Sequence, residues 1–94
     1  MIEVGVLQVT LHLASSHSLK EKRHVVRGIK DRLRARFNIS IAEVDDHDVW
    51  QTITLGVATV SNDAKHISGL LQQIVNQLRL HPEAQLVDHQ IEIM

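Results

Sequence analysis

Eight of the ten Lys and Arg residues lie between Lys20 and Arg36, and cations at short regular spacing do one kind of chemistry well, which is to hold phosphates. Lys20, Lys22, Arg23, Arg27, Lys30, Arg32, Arg34 and Arg36 stand against only Glu21 and Asp31, a local charge of +6. The rest of the chain sets Lys65 and Arg79 against nine acids, a charge of −7, so a formal total of −1 conceals a basic segment on an acidic body. Other groupings offer less chemistry. Asp45, Asp46 and Asp48 with His47 make an oxygen-rich segment, but a divalent site needs carboxylates from more than one element or a substrate phosphate. Turn formation accounts for them, and no metal is assigned. The seven histidines show neither H-x-x-x-H nor H-E-x-x-H spacing, and there is no cysteine to act as nucleophile or zinc ligand. A Gly-rich phosphate loop, a G-x-S-x-G elbow and a Ser/His/Asp set are also missing. No catalytic residue and no cofactor are assigned, and the chain reads as non-catalytic.

The elements that position the cations follow from hydrophobic period. Ile2 to Leu13 alternates, with Leu7, Val9, Leu11 and Leu13 on one face and Gln8, Thr10 and His12 on the other, as in a half-buried strand. Ala14 to Ser18 breaks the period. Ser18-Leu-Lys-Glu21 fits a capping box, so a helix is expected to start there. Leu19, Val26, Ile29, Leu33 and Phe37 form its apolar stripe, about 80° wide at 100° per residue. Asn38 to Val44 and Val49 to Val60 read as strands joined by a hairpin turn over Asp45 to Asp48. Asn62 with Asp63 opens a second helix whose apolar face is Ile67, Leu70, Leu71, Ile74, Val75 and Leu78, and His81-Pro82 stops it. Leu86 to Met94 is the last strand. The order β-α-β-β-α-β, with amphipathic helices and two-faced strands, implies a single domain over residues 1–94: an α+β ferredoxin-like two-layer sandwich, a four-stranded antiparallel sheet with both helices on one face. No apolar run approaches the ~20 residues that cross a bilayer, and no signal sequence opens the chain. A soluble cytoplasmic protein without a membrane partner is expected.

Gly5-Val-Leu, Ser18-Leu-Lys-Glu-Lys-Arg23, Lys30-Asp-Arg-Leu-Arg-Ala-Arg-Phe-Asn38, Ala42-Glu-Val-Asp-Asp46, Val49-Trp-Gln51 and Val60-Ser-Asn-Asp63 together resemble the bacterial YlxP-like family, a domain of unknown function, over essentially the whole chain. The resemblance implies a ferredoxin-like fold. It also implies genes that often neighbour those for transcription-antitermination, translation-initiation and ribosome-binding factors. It implies no activity and no catalytic residues.

With Val26 at 0°, Lys30, Arg23, Arg34, Arg27 and Lys20 fall between about 40° and 120°, so five cations share one flank of the first helix over about 21 Å. Lys22, Arg32 and Arg36 are expected across the other side as secondary contacts. Arg27 with Asp31 offsets one of the like-charge contacts along the flank. Solubility alone explains a charged helix, yet a helix built for solubility usually interleaves both signs. The favoured partner is structured RNA, ribosomal RNA included, held through Lys20, Arg23, Arg27, Lys30 and Arg34. Only Phe37 and Trp50 are aromatic, too few for the base-stacking sheet of RNA-recognition modules with this topology. The alternative is a protein-interaction module that forms a homodimer or binds a partner through the open sheet face. That face is expected to carry Val4, Val6, Trp50, Thr52, Thr54, Ala58 and Val60 among Gln8, Thr10 and His12, with Trp50 as the interface anchor.

Overall fold

The computed structural model describes residues Met1–Met94. Its elements are β1 (Glu3–His12), α1 (Leu19–Arg36), β2 (Ser40–Asp45), β3 (Thr52–Ser61), α2 (Ala64–Arg79) and β4 (Gln85–Ile93). The strands form one antiparallel sheet in the order β2-β3-β1-β4. This is the ferredoxin-like α+β sandwich that the order of periods implies. Leu7, Val9 and Leu11 of β1 and Ile53, Leu55 and Val57 of β3 are buried under Val26, Ile29 and Leu33 of α1 and Ile67, Leu71, Ile74, Val75 and Leu78 of α2. A one-residue slip of either central strand would turn its whole apolar set away from the helices, so the alternation fixes the register.

Local chemistry sets the helix limits. Ser18 Oγ accepts the Glu21 N–H at 3.1 Å, and Glu21 Oε2 accepts the His17 N–H at 2.7 Å. The capping box is therefore present, with the glutamate reaching one residue further back than the cap itself. Asp63 caps α2 by accepting the Lys65 N–H at 3.0 Å, and Asn62 stays outside the helix. Beyond α2, His81 Nδ1 accepts the N–H groups of Glu83 and Ala84 at 3.1 and 3.0 Å, which turns the chain into β4. Burial, and then the nearby Arg32 guanidinium, hold the His81 pKa below its ordinary value, partly opposed by Glu83. The ring thus favours the neutral form that can accept those bonds.

Gly5 sits where β1 passes beneath α2. A Cβ there would lie well inside van der Waals contact with Ile67 Cγ2 and 3.0 Å from Leu71 Cδ1. Gly5→Ala is expected to cost about 1–3 kcal/mol by forcing α2 off the sheet. Thermal denaturation checks this: the midpoint should fall by about 4–8 °C per kcal/mol in a domain of this size.

The largest departure from the expected elements is the connection between β2 and β3. The tight turn at Asp45 to Asp48 is instead a longer loop, and β3 begins at Thr52, so Val49 and Trp50 precede the strand. Asp46 adopts a left-handed conformation with φ of 57°, which aspartate tolerates better than most residues. Its N–H donates to Asp45 Oδ1 at 2.8 Å and its Oδ2 accepts Thr54 Oγ1 at 2.7 Å. Trp50 is about half exposed in the loop before β3, at the end of the sheet, instead of on a strand of the open face. The middle of that face is a shallow depression of about 460 Å³ floored by Gly56, Ala42 and Ala58, with Val44 lying across Gly56.

Candidate functional site

α1 contacts β2, while α2 packs on β1 and β4. Arg36 Nη1 donates to Gln77 Oε1 of α2 at 2.9 Å, and Arg32 lines a small pocket with Gln77 and His81. These two contacts fix the rotation of α1. Arg32 and Arg36 face α2, and the flank with Lys20, Arg23, Arg27, Lys30 and Arg34 turns the other way, beside the β2 edge. The Arg36 guanidinium also lies 5.2 Å from the centre of the Phe37 ring. The structure thus separates the two secondary arginines from the five-cation line.

Lys20, Arg23, Arg27 and Arg34 are exposed and Lys30 is half-buried. The one ion pair in the chain is Lys22 with Glu43, so Asp31 does not pair with Arg27 and no carboxylate neutralises any member of the flank. Arg34 alone has a partner, donating from Nη2 to the Ile41 carbonyl at 3.0 Å, which leaves the rest of its guanidinium free. The arrangement is a line of charge-assisted donors on a rigid support, suited to an array of anions.

Lys22 differs from the other seven. Its side chain is 1% exposed, where the sequence reading made it a secondary surface cation. Nζ donates to the carbonyl of Val49 at 2.8 Å and to that of Asp46, and it lies 2.8 Å from Glu43 Oε2. The contact with Glu43 is charge to charge, without hydrogen-bond alignment. Lys22 therefore cannot reach a phosphate; it clips the start of α1 to the β2–β3 loop. On the wheel it falls at about −40°, between Ile29 and Leu33 and inside the apolar stripe, and that angle is the signal from which its burial was readable.

A second clip lies alongside. Gln51 Nε2 donates to the carbonyls of Ala14 and Ser16 at 3.0 and 3.4 Å, and the buried Ser16 hydroxyl donates to the Ser18 carbonyl at 3.0 Å. The loop that carries Val49 and Trp50 is thus tied on one side to α1 and on the other to the segment that enters α1. Asp45 and Asp46 are engaged in turn bonds, and no group of three or more His, Asp or Glu residues converges as a cation site. No helix is long and apolar enough to cross a membrane.

The blocks Ser18-Leu-Lys-Glu-Lys-Arg23 and Ala42-Glu-Val-Asp-Asp46 meet in space at this clip, the first supplying Lys22 and the second Glu43 and the Asp46 carbonyl. A family model described as a protein of unknown function (DUF503) matches residues 4–91. The uncharacterized protein YlxP of Bacillus subtilis (strain 168) is 32% identical over 80 residues, which cover 85% of this chain and 87% of the relative. On the matched length and this identity, the chain belongs to the DUF503, or YlxP-like, family of proteins of unknown function.

Proposed function

We propose that the protein binds structured RNA, ribosomal RNA being the first candidate, through Lys20, Arg23, Arg27, Lys30 and Arg34. The observation that carries this reading is the unneutralised flank: five cations in line on a helix whose rotation is fixed by packing, with no carboxylate within pairing distance. Uncompensated like charges at i, i+4 spacing destabilise a helix by a few tenths of a kcal/mol each, a cost that a polyanion removes. A straight, rigid line of donors suits the regular phosphates of a folded RNA better than a mobile single strand. The sheet offers no stacking platform, since the open faces of the central strands β1 and β3 carry Val4, Val6, Gln8, Thr10, Thr52, Thr54, Gly56, Ala58 and Val60. Contact of this kind positions without reading bases. The acidic remainder of the surface would repel nucleic acid and orient the encounter. The gene neighbourhood that the family resemblance implies supports a ribosomal target.

Titration into total ribosomal RNA at several salt concentrations, with an acidic protein as control, tests the reading. Micromolar or tighter binding is expected, with a logarithmic salt slope between about −3.5 and −4.5 if five phosphates are engaged. Absence of RNA binding at low salt overturns it. Binding to the acidic protein alone would transfer the flank to a protein partner.

A further inference from the structure

The two lateral edges of the sheet are built differently. At β2 two backbone acceptors are capped by side chains: the Ile41 carbonyl by Arg34, and the Glu43 carbonyl by His47 Nε2 at 3.0 Å. The five-cation flank borders the same edge. A second copy added there would lose those caps and bring two basic flanks together, so this edge is blocked against pairing.

At β4 no side chain caps the backbone. Val4 and Met94 exchange both N–H···O bonds, at 3.1 and 2.8 Å. The antiparallel alternation then directs the backbone groups of Glu92, Gln90 and Asp88 toward β1 and those of Ile93, Ile91 and His89 outward. Gln77 turns the opposite side of α2 toward α1, which leaves the side with Ala64, Ser68 and Gln72 toward β4, its charges confined to Lys65 and Arg79 near the two ends of the helix. Val87, Ile93 and Met94 add exposed apolar surface along the strand.

We infer that a second copy of this chain occupies the β4 edge, the two β4 strands pairing antiparallel about a twofold axis at His89 to give a continuous eight-stranded sheet. The charge pattern selects the register. With His89 opposite itself, Asp88 faces the partner's Gln90, so no like charges meet; beyond Asp88 the register shift in β4 turns Leu86 toward the helices. A shift by one pairing step sets Asp88 against the partner's Asp88 in one direction, or against the partner's Glu92 in the other. In this arrangement the outward N–H and C=O groups of His89 gain partners, and the two cationic flanks lie at opposite ends of the sheet. An interface of one strand and one helix flank belongs to the small class, consistent with micromolar association.

Sedimentation of the full chain at low salt, from micromolar to near-millimolar concentration, tests this inference. The mass is expected to rise from 10.6 kDa toward twice that value. Gln90→Glu places a carboxylate opposite Asp88 in both symmetric pairs and should weaken the dimer by about threefold to tenfold, whereas Gln90→Lys should strengthen it by a similar factor. Gln90 is exposed, so both variants should keep the parent circular dichroism and melting behaviour. Ser40→Glu makes the same change in net charge at the opposite end of the sheet and should leave association unchanged. A monomer at every concentration overturns the inference. So does a dimer that ignores the sign of the charge at position 90, or one that Ser40→Glu weakens equally.

Discussion

Replacing Lys22 with alanine is expected to lower the free energy of unfolding by about 3–5 kcal/mol, the range for removing one partner of a buried charge pair. The Lys22 ammonium is enclosed by the carbonyls of Asp46 and Val49 and by the Glu43 carboxylate, whose side chain is only 15% exposed. Alanine leaves that carboxylate without its counter-charge, strands the carbonyls and opens space in the apolar stripe. Domains of this size hold about 5–15 kcal/mol in total, so much of the margin disappears. Urea denaturation followed by circular dichroism measures the loss directly. Lys22→Met keeps the stem and loses the donors, so it should be nearly as damaging. Lys22→Met with Glu43→Gln should recover part of the loss because no charge is left buried. A cost for Lys22→Ala under about 1 kcal/mol, the level of a surface pair, would mean that the ammonium does not hold the loop.

Much of this architecture is legible because two periods run without interruption. Leu7, Val9, Leu11 and Ile53, Leu55, Val57 alternate cleanly, and Ile67, Leu71, Ile74, Val75 and Leu78 keep one helical face, so the order of elements and the buried side of each follow from spacing alone. The β2–β3 connection does not follow, because tertiary bonds set its conformation. Val49 and Trp50 continue the alternation of β3 on paper, but Lys22 draws the Asp46 and Val49 carbonyls toward α1 and the strand begins later.

Reading Lys22 as one more surface cation hid the reason. Two positions carry the missing signal together. Lys22 lies within the apolar stripe of α1, and Glu43 shares the inward parity of the buried Ile41 on β2. Opposite charges at two inward positions of neighbouring elements point to a buried pair. The five-cation flank was legible because angle on a helix depends only on sequence spacing. The absence of an Arg27–Asp31 pair was not, because side-chain rotamers are not encoded by spacing.

The clip and the flank depend on each other through the rotation of α1. Lys22 anchors the first turns of the helix to the β2–β3 loop, and Arg36 anchors the last turn to α2 through Gln77. Between these points the helix cannot roll, so Arg23 and Arg27 hold a constant direction. A flank held in this way loses little backbone freedom when it meets an anion array, so the ordering cost is confined to its side chains.

Reversing Arg23 and Arg27 together, Arg23→Glu with Arg27→Glu, is expected to abolish RNA binding while leaving the fold intact. Both side chains are exposed, and neither makes a hydrogen bond or an ion pair. Each charge-assisted contact contributes about 1.5–3 kcal/mol, so losing two costs at least a hundredfold in affinity before the repulsion of two new carboxylates is counted. The salt slope of any residual binding should shrink, because fewer counterions are released. Lys65→Glu with Arg79→Glu changes the net charge by the same amount on α2, away from the flank, and separates local contact from overall electrostatics. Its effect should be confined to the modest weakening that long-range repulsion produces, and salt should remove it. Equal losses in the two double variants would mean that net charge governs binding. A folded Arg23→Glu, Arg27→Glu protein that binds like the parent would place the contact elsewhere on the molecule.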